Sequence, residues 1–393
     1  MRFPLYLDHH ATTPVDPRVL EVMLPYFTEK FGNASSINHA YGWEAADAVA
    51  KARDQVATLL NVPAKGIVFT SGATEANNLA IKGVMRLAPP GSHLITTAAE
   101  HNAVLDPVRR LQRAGTPVTI LPVNRDGRVE VEAIESALRP ETVLVSVMSA
   151  NNEVGTLSPI AEIGRLCRSR RVLFHCDAAQ SVGRLPLDLA TLPIDLLSLS
   201  GHKLYGPKGV GVLYVRPGPP RVKLEPLFDG GGHEHRLRSG TLAVPLIVGL
   251  GAACDLCRRE MPQEAERLRT LRERLWNGLS TRLDGLTRNG HPEERLPGNL
   301  HVSVDGVDGE ALMIRLKQIA VSSGSACTTA EPEPSHVLRA MGISDLLSRA
   351  SLRFGIGRFN TEEEIDYAID YVAETVEQLR ALSREGRPAS REL

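Results

Sequence analysis

The features that would mark a specialised partner are largely missing from this 393-residue sequence. Neither sign of charge is in excess, with 45 Lys and Arg against 46 Asp and Glu and a formal net charge of −1. Without a basic or acidic surplus, nucleic acid and anionic membrane surfaces are not expected partners. No apolar run approaches the ~20 residues that span a bilayer. The opening Met1-Arg2-Phe3-Pro4-Leu5-Tyr6-Leu7-Asp8 is too short in its apolar part for a signal peptide, so a cytoplasmic location is expected. Cysteine is scarce; five scattered thiols, an odd number, argue against a disulfide framework. Neither G-x-x-x-x-G-K-[ST] nor G-x-G-x-x-G stands between a strand and a helix, which removes the common nucleotide loops. Internal repeats are absent, and the one biased segment is the polar end at 383–393.

What is there reads as a globular enzyme. The hydrophobic share is 42%, ordinary for such a chain, and the length allows more than one core. Strand candidates at 67–71, 93–97, 117–121, 142–147, 172–176, 195–200 and 210–215 alternate with helical stretches. That alternation predicts an α/β fold around a mainly parallel seven-stranded sheet. At 43–60, Ala46, Val49, Ala50, Val56, Ala57 and Leu60 recur along one helical face. Near residue 255 the pattern changes to charged helical stretches at 260–284 and 361–384, with short strand candidates at 299–304, 319–322 and 351–356. Two domains are therefore expected: a large one over 15–255, and a smaller α+β one made of 1–14 and 256–393.

Chemistry concentrates in a few places. Ser200-Gly201-His202-Lys203 sets a lysine behind a strand end among small and hydroxyl residues, a setting in which an amine can lose its proton and attack a carbonyl. Val172-Leu173-Phe174-His175-Cys176-Asp177 reads as a buried strand ending in a carboxylate suited to holding a protonated ring nitrogen. Thr70-Ser71-Gly72-Ala73-Thr74-Glu75 follows a strand and opens a helix, where free N–H groups and the helix dipole would stabilise a phosphate; a plain N-cap by Ser71 or Thr74 fits as well. Ser322-Ser323-Gly324-Ser325-Ala326-Cys327-Thr328 puts one thiol in a small-residue loop built to move. Cys167, Cys176 and Cys254 instead fall in apolar patterns and read as small buried hydrophobes. Cys254 and Cys257 share a C-x-x-C spacing, but on a helix and without a second pair. The Gly230-Gly231-Gly232-His233-Glu234 stretch lacks the H-E-x-x-H spacing, so no metal site is expected.

Taken in order along the chain, these marks resemble the cysteine desulfurases of the IscS and NifS type, in the class V aminotransferase group. The resemblance runs from Tyr6-Leu7-Asp8 with Ala11-Thr12-Thr13-Pro14 to about Glu364. It rests on Ser71-Gly72-Ala73-Thr74-Glu75, Glu100-His101, Asn151-Asn152-Glu153-Val154-Gly155, Asp177-Ala178-Ala179-Gln180, Ser200-Gly201-His202-Lys203, Arg238-Ser239-Gly240-Thr241 and the Cys327 segment. It implies a fold-type I transferase dependent on pyridoxal 5'-phosphate and acting as a homodimer on L-cysteine. Lys203 would bond the cofactor aldehyde and shuttle protons, Asp177 would keep the pyridine nitrogen protonated, and His101 would stack on the ring and act in acid–base steps. Gln180 and Asn152 would bind the phenolic oxygen and substrate region. Ala73, Thr74, Ser200, His202 and, from the other subunit, Thr241 would surround the phosphate. Arg353 would clamp the substrate carboxylate. Cys327, as thiolate, would take the sulfur and become a persulfide, passing it to an acceptor such as an IscU-like scaffold for iron–sulfur cluster assembly. Metal ligation would be confined to Cys327 meeting a transferred cluster. The same residues would serve a selenocysteine lyase, whereas an aminotransferase of the group needs no loop thiol. The pair His9-His10 carries no assigned role, and the charged end 384–393, without an apolar tail, leaves the acceptor's identity open.

Overall fold

The structure, a computed structural model, describes residues 1–323 and 334–385. Seven strands build the principal sheet: β2 (Ile67–Thr70), β3 (His93–Thr97), β4 (Val118–Leu121), β5 (Thr142–Ser146), β6 (Leu173–Asp177), β7 (Leu196–Ser200) and β8 (Gly211–Val215). A short β1 (Leu5–Tyr6) precedes them in the chain. The sheet order is β2-β8-β7-β6-β5-β3-β4, and only β8 runs antiparallel to its neighbours. β2, β3 and β7 are buried at every residue because helices cover both faces. Alternate side chains feed two different cores. Ile67, Phe69, Ile95, Val145, Phe174 and Leu199 join the one that includes helix Ala40–Leu60. Val68, Leu94, Leu144, Leu196 and Leu213 join the one beneath helix Ala73–Leu87.

The second half of the chain adds β9 (Leu286–Arg288), β10 (Asn299–Val304), β11 (Ile319–Ala320), β12 (Ser322–Ser323) and β13 (Ser351–Gly355). Four of them form an antiparallel sheet in the order β12-β13-β10-β9, and β11 pairs in parallel with β1. A separate core gathers Leu5, Leu7, Leu271, Leu275, Leu300, Leu352, Phe354 and Ile365.

The sequence pattern near residue 255 has a physical origin other than a break. One helix runs unbroken over Val244–Arg282, through Pro262. Its first turns bury Ile247, Leu250 and Cys254 in the large core, and its later turns bury Leu268, Leu271, Leu275 and Leu279 in the small one. The composition shifts where the helix changes packing partner. Similarly, the strand expected at 319–322 divides into β11 and β12, which belong to different sheets.

Candidate active site

The parallel strands direct their carboxyl ends toward one edge of the sheet, where open α/β folds place their ligands. There a cavity of about 630 Å³ opens between the sheet, residues 10–12 and Arg353. Ala73, Thr74, His101, Asn152, Asp177, Gln180, Ser200, His202, Lys203 and Arg353 all line it. These residues come from well-separated stretches of sequence.

The turn after β2 brings the chain into helix Ala73–Leu87 through Gly72, whose φ of 152° suits glycine alone. No side chain caps this helix. Ser71 does not act as its cap; its N–H is taken by Glu75 Oε2 at 2.7 Å. The first-turn N–H groups at Ala73 and Thr74 thus stand at the cavity wall with the positive end of the helix dipole behind them.

β6 ends on Asp177, buried, with one carboxylate oxygen accepting from Asn77 Nδ2 at 2.7 Å and the other from the Ala179 N–H at 3.0 Å. β7 ends on Ser200, followed by a tight 3₁₀ turn that carries Lys203. Lys203 Nζ donates to the carbonyls of His10, at 2.5 Å, and Ala11, at 2.8 Å. Burial, then the nearby Arg184 and Arg353 charges, lowers its pKa to about 7, so a large fraction is free amine at neutral pH.

His101 caps helix Asn102–Arg113, its Nδ1 accepting from the Ala103 N–H at 3.0 Å. That leaves the proton on Nε2, and the surrounding protein holds the ring's pKa below its ordinary value. His202 is likewise kept neutral, lowered to about 4 by burial first and then by Lys203, with Nδ1 3.1 Å from Thr12 Oγ1. Gln180 Nε2 donates to the His10 carbonyl at 2.9 Å. Asn152 Oδ1 is buried with no partner among the described residues.

Arg353, in β13, donates to the Asn152 carbonyl at 2.9 Å, the Asp8 carboxylate at 2.8 Å and Ser322 Oγ at 2.9 Å. It is buried rather than a solvated strand arginine, and its Nε is without a partner among the described residues. Ser322 Oγ also donates to Asp8, so Asp8 ties Arg353 to the strand that leads toward residue 324. Thr241 is exposed and is not part of the cavity wall of its own chain. Its loop is fixed by Glu234, which receives Arg53 and the Phe69 N–H, and by an ion pair of Arg238 with Glu75. Cys327 lies outside the described residues.

The other four thiols are all buried. Burial pushes Cys167 up to about 12 and Cys257 to about 11, and holds Cys176 and Cys254 well above the usual thiol range. Such thiols stay protonated and are poor nucleophiles. Among the described residues no three His, Cys, Asp or Glu side chains are grouped to hold a metal ion.

Three residues of consequence escape a reading of the sequence. Arg184 sits in a Gly-Arg-Leu stretch that looks like a surface turn, Asp8 finds its partner 345 positions away, and His10 meets Lys203 through its carbonyl. The only local signal is the adjacency of Asp8 and the two histidines.

Comparison with known proteins supplies the remaining context. The sequence profile described as Aminotransferase class-V matches residues 5–368. The chain is 58% identical to "Cysteine desulfurase IscS" of Anaeromyxobacter dehalogenans, over 98% of this chain and 95% of that protein. It is 52% identical to "Cysteine desulfurase" of Homo sapiens, over 97% of this chain and 83% of that one. Among solved structures, a "NIFS-LIKE PROTEIN" superposes with a TM-score of 0.89 at 38% identity, covering 96% of this chain and 100% of that chain. "SspA in complex with cysteine" gives 0.81 at 38% identity, covering 91% and 100%.

Proposed function

Because the chain belongs to the class V aminotransferase family, among its cysteine desulfurases, we infer that it is a pyridoxal 5'-phosphate enzyme that takes the sulfur from L-cysteine and releases L-alanine. The observation that carries this for the residues themselves is Lys203, an amine lowered to about 7 in the wall of a cavity that it shares with Asp177 and an uncapped helix N-terminus.

The residues fit the cofactor end by end. Ala73 and Thr74, with Ser200 and His202 beside them, offer N–H and hydroxyl donors to a phosphate. Asp177, already oriented by Asn77, offers a carboxylate to a protonated pyridine nitrogen, and Lys203 offers a nucleophilic amine to an aldehyde. Asn152 Oδ1 is a buried acceptor whose partner a bound ligand would provide. When bound, the cofactor supplies the electron sink that eases loss of the substrate's Cα proton.

The protein's own groups do the rest. Arg353 holds the substrate carboxylate through its guanidinium, which Asp8 and the Asn152 carbonyl keep in plane. Lys203 as free amine takes the Cα proton and returns a proton later. His101, neutral with a proton on Nε2, can donate that proton from the cavity wall. The Cys327 thiolate attacks the substrate sulfur; an S–S bond forms as the C–S bond breaks. The persulfide stays on Cys327 and the three-carbon remainder leaves as alanine. The large domain over 15–255 holds the cofactor, while 1–14 with 256–393 presents the thiol.

Two interactions follow from the surface. Leu24, Phe27, Phe31, Ile37 and Trp43 are each more than half exposed within a short stretch near the N-terminus. Apolar exposure on that scale marks an interface, and a homodimer would cover it while bringing Thr241 of each subunit to the other's phosphate site. The sulfur then passes to an acceptor such as an IscU-like scaffold, for iron–sulfur cluster assembly. Among the described residues no helix is long and apolar enough to cross a membrane, and a cytoplasmic enzyme is the reading that we adopt.

The deciding experiment supplies L-cysteine with a reductant and measures sulfide and alanine together. Equal amounts of both are expected, and none from Lys203→Ala. Pyruvate in place of alanine would make the enzyme a β-eliminating lyase instead.

A further inference from the structure

Arg184 is a cationic side chain that the mechanism above does not use. It makes no ion pair among the described residues. Its guanidinium bonds instead to four uncharged acceptors: the His9 carbonyl at 2.6 Å, the Lys203 carbonyl at 3.1 Å, Gln180 Oε1 at 3.2 Å and, in a short contact, His10 Nδ1. His10 Nδ1 also lies 3.1 Å from Gln180 Oε1, wedged between a guanidinium and an amide oxygen, and a neutral imidazole is the form that a neighbouring cation favours. Burial and the same Arg184 charge agree with that state, holding the His10 pKa well below its ordinary value.

The consequence reaches Lys203. The two carbonyls that receive its Nζ belong to His10 and Ala11, in the segment that Arg184 grips, and Arg184 also grips the backbone of Lys203 itself. We propose that Arg184 is a positioning residue: it clamps residues 9–10 to the Lys203 turn and so fixes where the Lys203 amine sits. The proposal rests on Lys203 being the cofactor-bonding amine.

Charge adds to geometry. A permanent cation beside an amine disfavours the ammonium form. After burial, Arg184 contributes most to lowering Lys203, with Arg353 next; Asp8 and Asp177 act in the opposite sense. His101 and His202 also face Lys203, and both are held on the neutral side. An arginine serves here because its planar fork of donors can reach both segments at once while carrying the charge.

The test uses the holoenzyme with Arg184→Gln and Arg184→Lys. Three readouts are compared with the unsubstituted enzyme: the pH midpoint of the bound cofactor's absorbance change, hydrogen–deuterium exchange of the peptide covering residues 5–15, and kcat against KM for L-cysteine. Arg184→Gln should raise the midpoint by about half a pH unit or more, because a repelling charge has gone. It should also speed exchange over residues 5–15 and lower kcat roughly tenfold, with KM changing less. Arg184→Lys keeps a charge but not the fork of donors, so it should hold the midpoint while still speeding exchange. If Arg184→Gln does not fold, Arg184→Lys decides by its exchange alone: unchanged protection of residues 5–15 overturns the clamp. A folded Arg184→Gln with unchanged midpoint and exchange overturns it as well, even if its melting temperature falls. Lys203→Ala is run alongside. Should it keep the normal cofactor absorbance, the assignment of Lys203 fails, a result independent of how Arg184 behaves.

Discussion

Glu100 permits a quantitative test of how the site handles protons. Its carboxyl is fully buried; one oxygen accepts from Thr97 Oγ1 and the Met148 N–H, both at 2.9 Å, and the other has no partner among the described residues. Burial pushes its pKa to about 8, opposed by the Met148 N–H and reinforced by the charge of Asp177. An unfolded glutamate titrates near 4.5. Between these values the folded protein keeps a proton that the unfolded chain releases. The stabilisation is therefore fully present below pH 4.5 and is lost as pH rises through about 8. At about 1.36 kcal/mol per pH unit, the interval amounts to on the order of 5 kcal/mol. Glu100→Gln keeps the accepting oxygen and cannot ionise. At pH 5 it should unfold in urea within about 1 kcal/mol of the unsubstituted protein, and by pH 8 it should be more stable by roughly 3 to 5 kcal/mol. Lys203 is common to both proteins and cancels in the difference. Urea unfolding at constant ionic strength from pH 5 to 8, followed by circular dichroism, gives the comparison. Two stability curves that run parallel over that range would refute the reasoning, because they would mean that Glu100 is already ionised in the folded state.

The other expectations concern turnover. Cys327→Ser should retain the cofactor absorbance and its response to L-cysteine but form no persulfide and release no stoichiometric alanine, since an unactivated hydroxyl cannot replace a thiolate; near-normal sulfide release would remove Cys327 as the nucleophile. Asp177→Asn can keep the bond from Asn77 but loses the charge and the acceptor for the Ala179 N–H, so kcat should fall by about a hundredfold or more while the protein still folds, as single-turnover kinetics would show. Asp8→Asn should raise KM for L-cysteine several-fold through loss of the ion pair that orients Arg353, with a smaller effect on kcat. Mixing Lys203→Ala subunits with Thr241→Ala subunits should recover activity in the heterodimer if Thr241 serves the neighbouring site, and none if it serves its own.

How far the sequence discloses this arrangement depends on where each residue's partners lie. The seven strands of the large sheet are legible because cover on both faces makes them nearly continuous apolar runs, and the expected spans match within one or two residues. Lys203 and Asp177 are legible because each stands at the end of such a run. Cys167, Cys176 and Cys254 sit in apolar patterns that already read as core, and Cys257 is buried with them, which sets Cys327 apart by its neighbours alone. By contrast, β1 and β9 have two and three residues, too few to show a period, and exist through pairings with β11 and β10. The cap of helix Ala73–Leu87 reads as Ser71 or Thr74 locally, yet Glu75 claims the Ser71 N–H and Gly72 takes the position instead. Arg184 is invisible in sequence because its importance comes from carbonyls on two distant segments.

The seat for the substrate is assembled from opposite ends of the chain, and this sets a timetable for synthesis. Strand β1 needs β11, the His9 N–H needs the Gly355 carbonyl, and Asp8 needs Arg353, 345 residues later. The nascent chain emerges from its N-terminus at ~5–20 residues per second, so Leu5 and Leu7 wait roughly 20 to 70 s for their neighbours. Every strand of the large sheet lies between residues 67 and 215 and can pair earlier. A chain released before residue 353 would therefore possess Lys203 and Asp177 on a sheet able to form, yet would lack the arginine that receives the substrate carboxylate. Until then its apolar opening segment is a natural ligand for a chaperone that binds unfolded chains.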